Sequence, residues 1–156
     1  MVDPQAPPPS LTALTTYLLS RTGKTARSRL AGRFAERRLR LWHHAVLAAL
    51  ADFGPHAQRE LAVRLAVDPS DMAKILDELA AADRVDRVRD PADRRRVTVT
   101  LTEAGRALLA ELDAEAAAVQ DEVLAPLDGD EREQLNALLA KVFAHLTEPS
   151  EAPTAP

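Results

Sequence analysis

The stretch Asp90-Pro91-Ala92-Asp93-Arg94-Arg95-Arg96-Val97-Thr98-Val99-Thr100-Leu101-Thr102 decides the fold of this 156-residue chain. In its second half Val97, Val99 and Leu101 alternate with Thr98, Thr100 and Thr102, the period-two signature of a half-buried strand. Just upstream, Val85, Arg87 and Arg89 alternate with Asp86, Val88 and Asp90 in the same way. A short, charged, turn-rich connection joins the two runs, so together they predict a β-hairpin with a basic tip. Two short strands are not stable alone in water, and helices must supply the surface on which the hairpin rests.

Those helices are legible on both sides. Upstream, Asp68-Pro69-Ser70-Asp71 reads as N-cap, proline at the first helical position and an acid near the positive helix end. Met72, Ile75, Leu76 and Leu79 then form one apolar face, which leaves Ser70, Ala73, Lys74 and Asp77 largely on the other. A short helix from Gln58 to Ala66 turns Leu61, Ala62 and Leu65 inward, and the tight connection between the two predicts a helix-turn-helix. Before it, Leu41–Phe53 carries Leu41, Val46, Leu47 and Leu50 and stops at Gly54-Pro55. The first helix is expected from Ser10, as N-cap, to Arg38, with Leu11, Leu14, Leu18, Leu19, Leu30 and Phe34 at mostly helical spacing. Gly23 and Gly32 interrupt it as points where another helix would approach closely.

Downstream, Thr102 caps a long helix from Glu103 to about Leu124, with Leu108, Leu109, Leu112, Ala116 and Val119 on its apolar side. Pro126 and Gly129 break it. A last helix, about Glu131–Leu146 and capped by Asp128 or Asp130, carries Leu135, Leu138, Leu139, Val142, Phe143 and Leu146. The fold class is therefore mainly α with a small β-hairpin wing (α+β), a winged helix-turn-helix. Residues 1–10 and 148–156, rich in proline and poor in large apolar side chains, are expected to be disordered tails. Residues 11–38 and 102–147 are expected to form the two parts of a dimerisation region around the winged helix-turn-helix domain at 39–101, because flanking helices with unpartnered apolar faces commonly pair across a two-fold axis.

Composition excludes several functions. Without cysteine there is no disulfide, thiol nucleophile or iron–sulfur cluster. No run approaches the roughly 18 apolar residues of a membrane span, and no signal segment opens the chain, which points to the cytoplasm. Neither a nucleophile motif nor a phosphate-binding glycine loop is present, so no enzyme activity and no cofactor is expected. The formal charge of −4 argues superficially against nucleic acid, but it hides a division. Residues 11–100 hold 17 Lys/Arg against 11 Asp/Glu, while residues 101–156 hold 3 against 12. The basic body is the part that would face phosphate.

The wing stretch, continued through Glu103-Ala104-Gly105, resembles the wing and wing-to-helix signature of the MarR family of bacterial transcriptional regulators. Leu39–Leu50 is similar to that family's second helix and Gln58–Leu79 to its helix-turn-helix. The similarity covers about residues 11–147. Where the family usually has glycine before the first wing strand, this chain has Asp83, one of the few other residues that tolerates the left-handed conformation. The resemblance implies a homodimer on double-stranded DNA with a pseudo-palindromic operator, as a repressor released by a small aromatic or phenolic ligand. It implies that Arg94 and Arg95 enter the minor groove, that Asp93 grips the arginine fork, and that Arg96 meets backbone phosphate. In the major groove Ser70, Ala73 and Lys74 are the expected contacts, with Asp71 and Asp77 repelling phosphate. The ligand is expected among Trp42, His43 and His44, with Tyr17 and Arg21 on the first helix. Neighbouring helical residues point about 100° apart, so His43 and His44 make no metal pair and no metal site is expected. The competing readings are a winged-helix protein-interaction module without DNA binding and a metal-responsive regulator.

Overall fold

A computed structural model describes residues 6–148; half of the first expected tail and all but Glu148 of the second lie outside them. The chain falls into two compact units, one up to residue 119 and one from residue 120 onward. The first holds α1 (Pro9–Thr12), α2 (Thr15–Glu36), α3 (Leu41–Phe53), β1 (His56–Ala57), α4 (Gln58–Arg64), α5 (Pro69–Ala81), β2 (Val85–Arg89), β3 (Val97–Leu101) and most of α6 (Glu103–Val123). The second holds the end of α6 and α7 (Gly129–Thr147). Among the described residues no helix is long and apolar enough to cross a membrane.

The core of the first unit is made by the faces the periodicity picks out. Val46, Leu47 and Leu50 of α3, Leu61 of α4, Met72, Ile75, Leu76 and Leu79 of α5, and Leu108 and Leu112 of α6 form one buried cluster with Phe34, Val85 and Val99. Asp68 caps α5 by accepting the Ser70 N–H at 2.8 Å, and Asp128 caps α7 through the Glu131 N–H at 2.9 Å. Thr102 caps α6: its hydroxyl accepts from Gly105 N–H and donates to the Asp83 carbonyl.

Three expectations need correction. The first helix is broken: Leu14 is extended (φ −92°, ψ 116°), so a four-residue turn starting at Pro9 precedes α2, and Ser10 is not the cap. Gly23 and Gly32 mark no close approach among the described residues, since the space a side chain would fill at either is empty to 4 Å. And the hairpin is part of a three-stranded antiparallel sheet, ordered β1-β3-β2, in which His56 pairs with Val99 and Ala57 with Thr98. Two residues after Gly54-Pro55 are too few to show any alternation.

Three helices end in the same way. After α2, α4 and α5 the chain turns through Arg38 (φ 58°), Ala66 (φ 51°) and Asp83 (φ 56°). At each, the following N–H reaches back to close a six-residue loop: Leu39 to Phe34 (3.0 Å), Val67 to Ala62 (2.9 Å) and Arg84 to Leu79 (2.8 Å). This is the Schellman ending, usually built on glycine. Asp83 takes the left-handed turn that its place before the wing demands.

Candidate nucleic-acid interface

Helix α5 buries its apolar face completely and turns Ser70, Asp71, Lys74, Asp77 and Glu78 outward, with Ala73 half-buried between them. Most of these polar groups are already engaged. The Ser70 hydroxyl donates to Asp68, and with the Ser70 N–H this holds the Asp68 carboxyl below the usual carboxylate range. Asp77 Oδ1 accepts from Arg87 Nη2 of β2 at 2.6 Å, so the strand beside it neutralises the charge that would repel phosphate. Glu78 is held from α3. Both of its oxygens accept from Arg40 Nη2 at 2.9 Å, and Oε2 lies 2.7 Å from Nε2 of the buried His43. The Arg40 bonds lead in holding Glu78 below its ordinary pKa, and the His43 bond adds to them. Burial pushes His43 down, outweighing the pull of Glu78. Its Nδ1 accepts the Arg40 N–H at 2.8 Å, which makes Nε2 the protonated nitrogen that donates to Glu78.

The wing tip is shaped by aspartates acting on the backbone. Asp90 Oδ1 accepts the Ala92 N–H (2.8 Å), Asp93 Oδ1 accepts the Arg95 N–H (3.0 Å), and the Asp90 N–H closes the loop on the Arg96 carbonyl (2.9 Å). Asp93 therefore does not grip a guanidinium here; its short side chain finds the N–H two residues on, the ordinary Asx turn. Arg94 and Arg95 are exposed and have no side-chain partner among the described residues. Arg96 stands 3.7 Å from Glu60. Beside them a groove of about 480 Å³ is lined by Gln58, Arg59, Arg95 and Arg96, and Arg59 is a cation that sequence reasoning misses. The only signal for it is its place on the first turn of α4.

At its root the hairpin is pressed against α6. A Cβ added at Gly105 would lie 2.0 Å from the Arg84 carbonyl oxygen and 2.7 Å from Leu101. Only glycine fits, which explains why the signature stretch ends on one.

The residues expected to hold a ligand are not gathered into one place. His43 faces α5, as above, and lines a cavity of about 490 Å³ with Arg37, Arg38, Leu39, Leu79 and Arg84. His44 points elsewhere: Nε2 lies 2.7 Å from Asp113 on α6, and the ring meets Phe34 edge-on at 5.3 Å. Trp42 is partly buried against the core. Tyr17 and Arg21 sit in the first turns of α2, roughly 20–25 Å along the helix from Phe34 at 1.5 Å per residue. Within one chain they do not share a site with the histidines. Among the described residues no group of three or more His, Asp or Glu is placed to hold a metal ion.

A family model described as MarR family matches residues 38–96, from the αL turn before α3 to the wing tip. The HTH-type transcriptional repressor NicR of Pseudomonas putida is 38% identical over 97 residues, 62% of this chain. The chain belongs to the MarR family. The match spans 61% of NicR's own length. BpsR of Bordetella bronchiseptica, whose DNA binding is regulated by 6-hydroxynicotinic acid, is similar with a TM-score of 0.71 and 29% identity, covering 82% of this chain and 97% of that one. A MarR family protein of Mycobacterium tuberculosis solved with DNA gives 0.72 and 28% identity, covering 83% and 97%. The MarR-family winged helix thus accounts for the order of elements from α3 to the wing.

Proposed function

We propose that this MarR-family chain is a homodimeric, sequence-specific DNA-binding repressor, acting in the cytoplasm on a pseudo-palindromic operator. The observation that carries the reading is the wing tip: two exposed arginines, Arg94 and Arg95, on a turn rigidified by its own aspartates and, among the described residues, without carboxylate partners. Free guanidiniums on a slim hairpin suit the narrow, negative minor groove, while α5 is slim enough for the major groove. Ser70, Ala73 and Lys74 lie on the face of α5 that would meet base edges, and Arg96 and Arg59 stand beside the tip, where phosphate would pass. That a relative was solved with DNA supports the DNA-binding reading.

The dimer is supported by exposed apolar surface. On α7, Leu138, Leu139, Val142, Phe143 and Leu146 are between 38% and 74% exposed, and at the other end of the chain Leu11, Leu14 and Leu18 are exposed too. Symmetry then places half-sites about one helical turn apart.

The decisive measurement is fluorescence anisotropy on a duplex carrying the promoter of the chain's own gene, across a salt series. Steep salt dependence is expected. Arg94→Ala with Arg95→Ala should weaken binding and flatten the salt slope by about 0.9 for each phosphate that is no longer neutralised. Unchanged affinity in the double variant overturns the wing assignment.

Release by a small aromatic acid is the second part of the proposal. It is supported by BpsR's response to 6-hydroxynicotinic acid and by the His43 cavity, which is lined by Leu39, Leu79 and Leu108 and by Arg37, Arg38 and Arg84 beside Glu78. That cavity touches the end of α5, so filling it would bias the helix that reads DNA. A thermal-shift series with 6-hydroxynicotinic acid and salicylate, repeated on His43→Ala and Trp42→Ala, tests this part. Stabilisation without any loss of DNA affinity would separate ligand binding from regulation.

A further inference from the structure

We propose that Asp71 and Lys74 form a single reading unit that selects one G·C base pair in each half-site. The inference rests on the DNA-binding reading above and assigns a role to the acidic residue that reading leaves as a liability.

The assignment begins with what is left over on the exposed face of α5. The Ser70 hydroxyl has spent its proton on Asp68. Asp77 is tied to Arg87 on β2, and Glu78 to Arg40 and His43 at α3. Ala73 has nothing polar to offer. Asp71 and Lys74 alone on this face are bound to no other element among the described residues. They stand about one helical turn apart, are well exposed (63% and 70% of their side chains), and form their one ion pair with each other at 3.6 Å, the Lys74 charge also reaching the Asp68 cap of the same helix. Both lie in the first half of α5, the part of a recognition helix that meets base edges.

A loosely joined ammonium and carboxylate is a donor beside an acceptor. The major-groove edge of a G·C pair presents the complement: acceptors at guanine N7 and O6, then a donor at cytosine N4. O6 and N4 are themselves joined by a Watson–Crick hydrogen bond, so they lie about 3 Å apart, close to the spacing of Lys74 Nζ and Asp71 Oδ1. The ammonium can satisfy N7 and O6 together while the carboxylate accepts from N4. An A·T pair also offers an acceptor beside a donor, but the ammonium then has one acceptor in place of two. Its other neighbour is adenine's amino group or thymine's methyl. Electrostatics sharpens the choice. A carboxylate this close to the phosphates costs affinity everywhere except where a base amino group receives it, so Asp71 lowers non-specific binding and raises discrimination together.

The test is selection of binding sites from a random duplex library by the full chain, followed by sequencing, for the wild type, Asp71→Ala, Asp71→Asn and Lys74→Met. Wild-type half-sites should be enriched in G·C at one position. Asp71→Ala and Lys74→Met should both relax that same position, by about 5- to 100-fold in preference, and leave the others intact. Asp71→Asn should move the preference there towards A·T, because an amide pairs with adenine N6 and N7. On non-specific duplex at low salt Asp71→Ala should bind more tightly than the wild type, an effect that loss of a merely structural residue would not give. If the variants keep the wild-type base at every position, or if the aspartate and lysine variants relax different positions, the unit is overturned. A wild type that enriches no sequence at all overturns the DNA-binding reading itself, a distinguishable failure.

Discussion

Helices α5 and α7 start alike and end differently. Each opens on an aspartate cap and carries a leucine-rich face at helical spacing. In α5 all four apolar anchors, Met72, Ile75, Leu76 and Leu79, are no more than 2% exposed; in α7 no residue is buried and Phe143 and Leu146 are 68% and 74% exposed. Local chemistry makes a helix in both cases, but among the described residues only the apolar face of α5 is fully covered. The difference separates a helix that builds the core of the first unit from one that leaves its apolar face exposed.

The largest effect should come from the buried member of this pair. Leu76→Ala leaves a cavity under α5 and is expected to cost about 2–5 kcal/mol in urea unfolding, by an amount independent of protein concentration. Phe143→Glu should barely change the fold of the first unit, but it should weaken self-association about 100-fold, equivalent to about 2.7 kcal/mol, by sedimentation velocity. If Phe143→Glu stays dimeric at micromolar concentration, the α7 face is not the interface. Removing the α7 cap with Asp128→Ala should cost about 1 kcal/mol, read as lost helicity in circular dichroism.

The smallest expected effect concerns how α5 is tethered. His43 is neutral in the fold and its pKa lies below the ordinary value of 6.5, chiefly through burial. Its contribution is therefore complete above pH 6.5 and lost as pH falls through 6.5 towards the lower folded value. Urea titrations at about pH 7.5 and 5.5 should show the wild type losing more stability than His43→Gln over that window. Glu78, also lowered, adds its own loss only once pH falls below 4.5. A His43→Gln variant with the wild-type slope would show that the link from α3 to α5 is not titrating.

Much of α5 was legible in the sequence because its determinants are close together: Asp68, Pro69 and the Met72–Leu79 spacing lie within a dozen residues. The wing was legible for the same reason, down to the left-handed Asp83. What escaped is non-local or without a residue code. Glu78 meets residues 35 and 38 positions away, and nothing in Arg40 or His43 announces it. Arg38 and Ala66 make turns that normally advertise themselves as glycine. Strand β1 is two residues long and exists only because β3 passes beside it. The expected grip of Asp93 on an arginine gave way to a nearer backbone partner, which a sequence cannot rank against a distant one.

The packing at Gly105 has a mechanical consequence. With a carbonyl packed where a side chain would stand, the base of the hairpin has no slack against the first turn of α6, and the two move as one piece. Each hairpin arm is five residues, about 17 Å at 3.4 Å per residue. A tilt of α6 by about 5° would sweep the arginine tip through about 1.5 Å, half the length of a typical hydrogen bond. A glycine contributing no side chain of its own thus gives the wing the stiffness of a lever and sets its gearing.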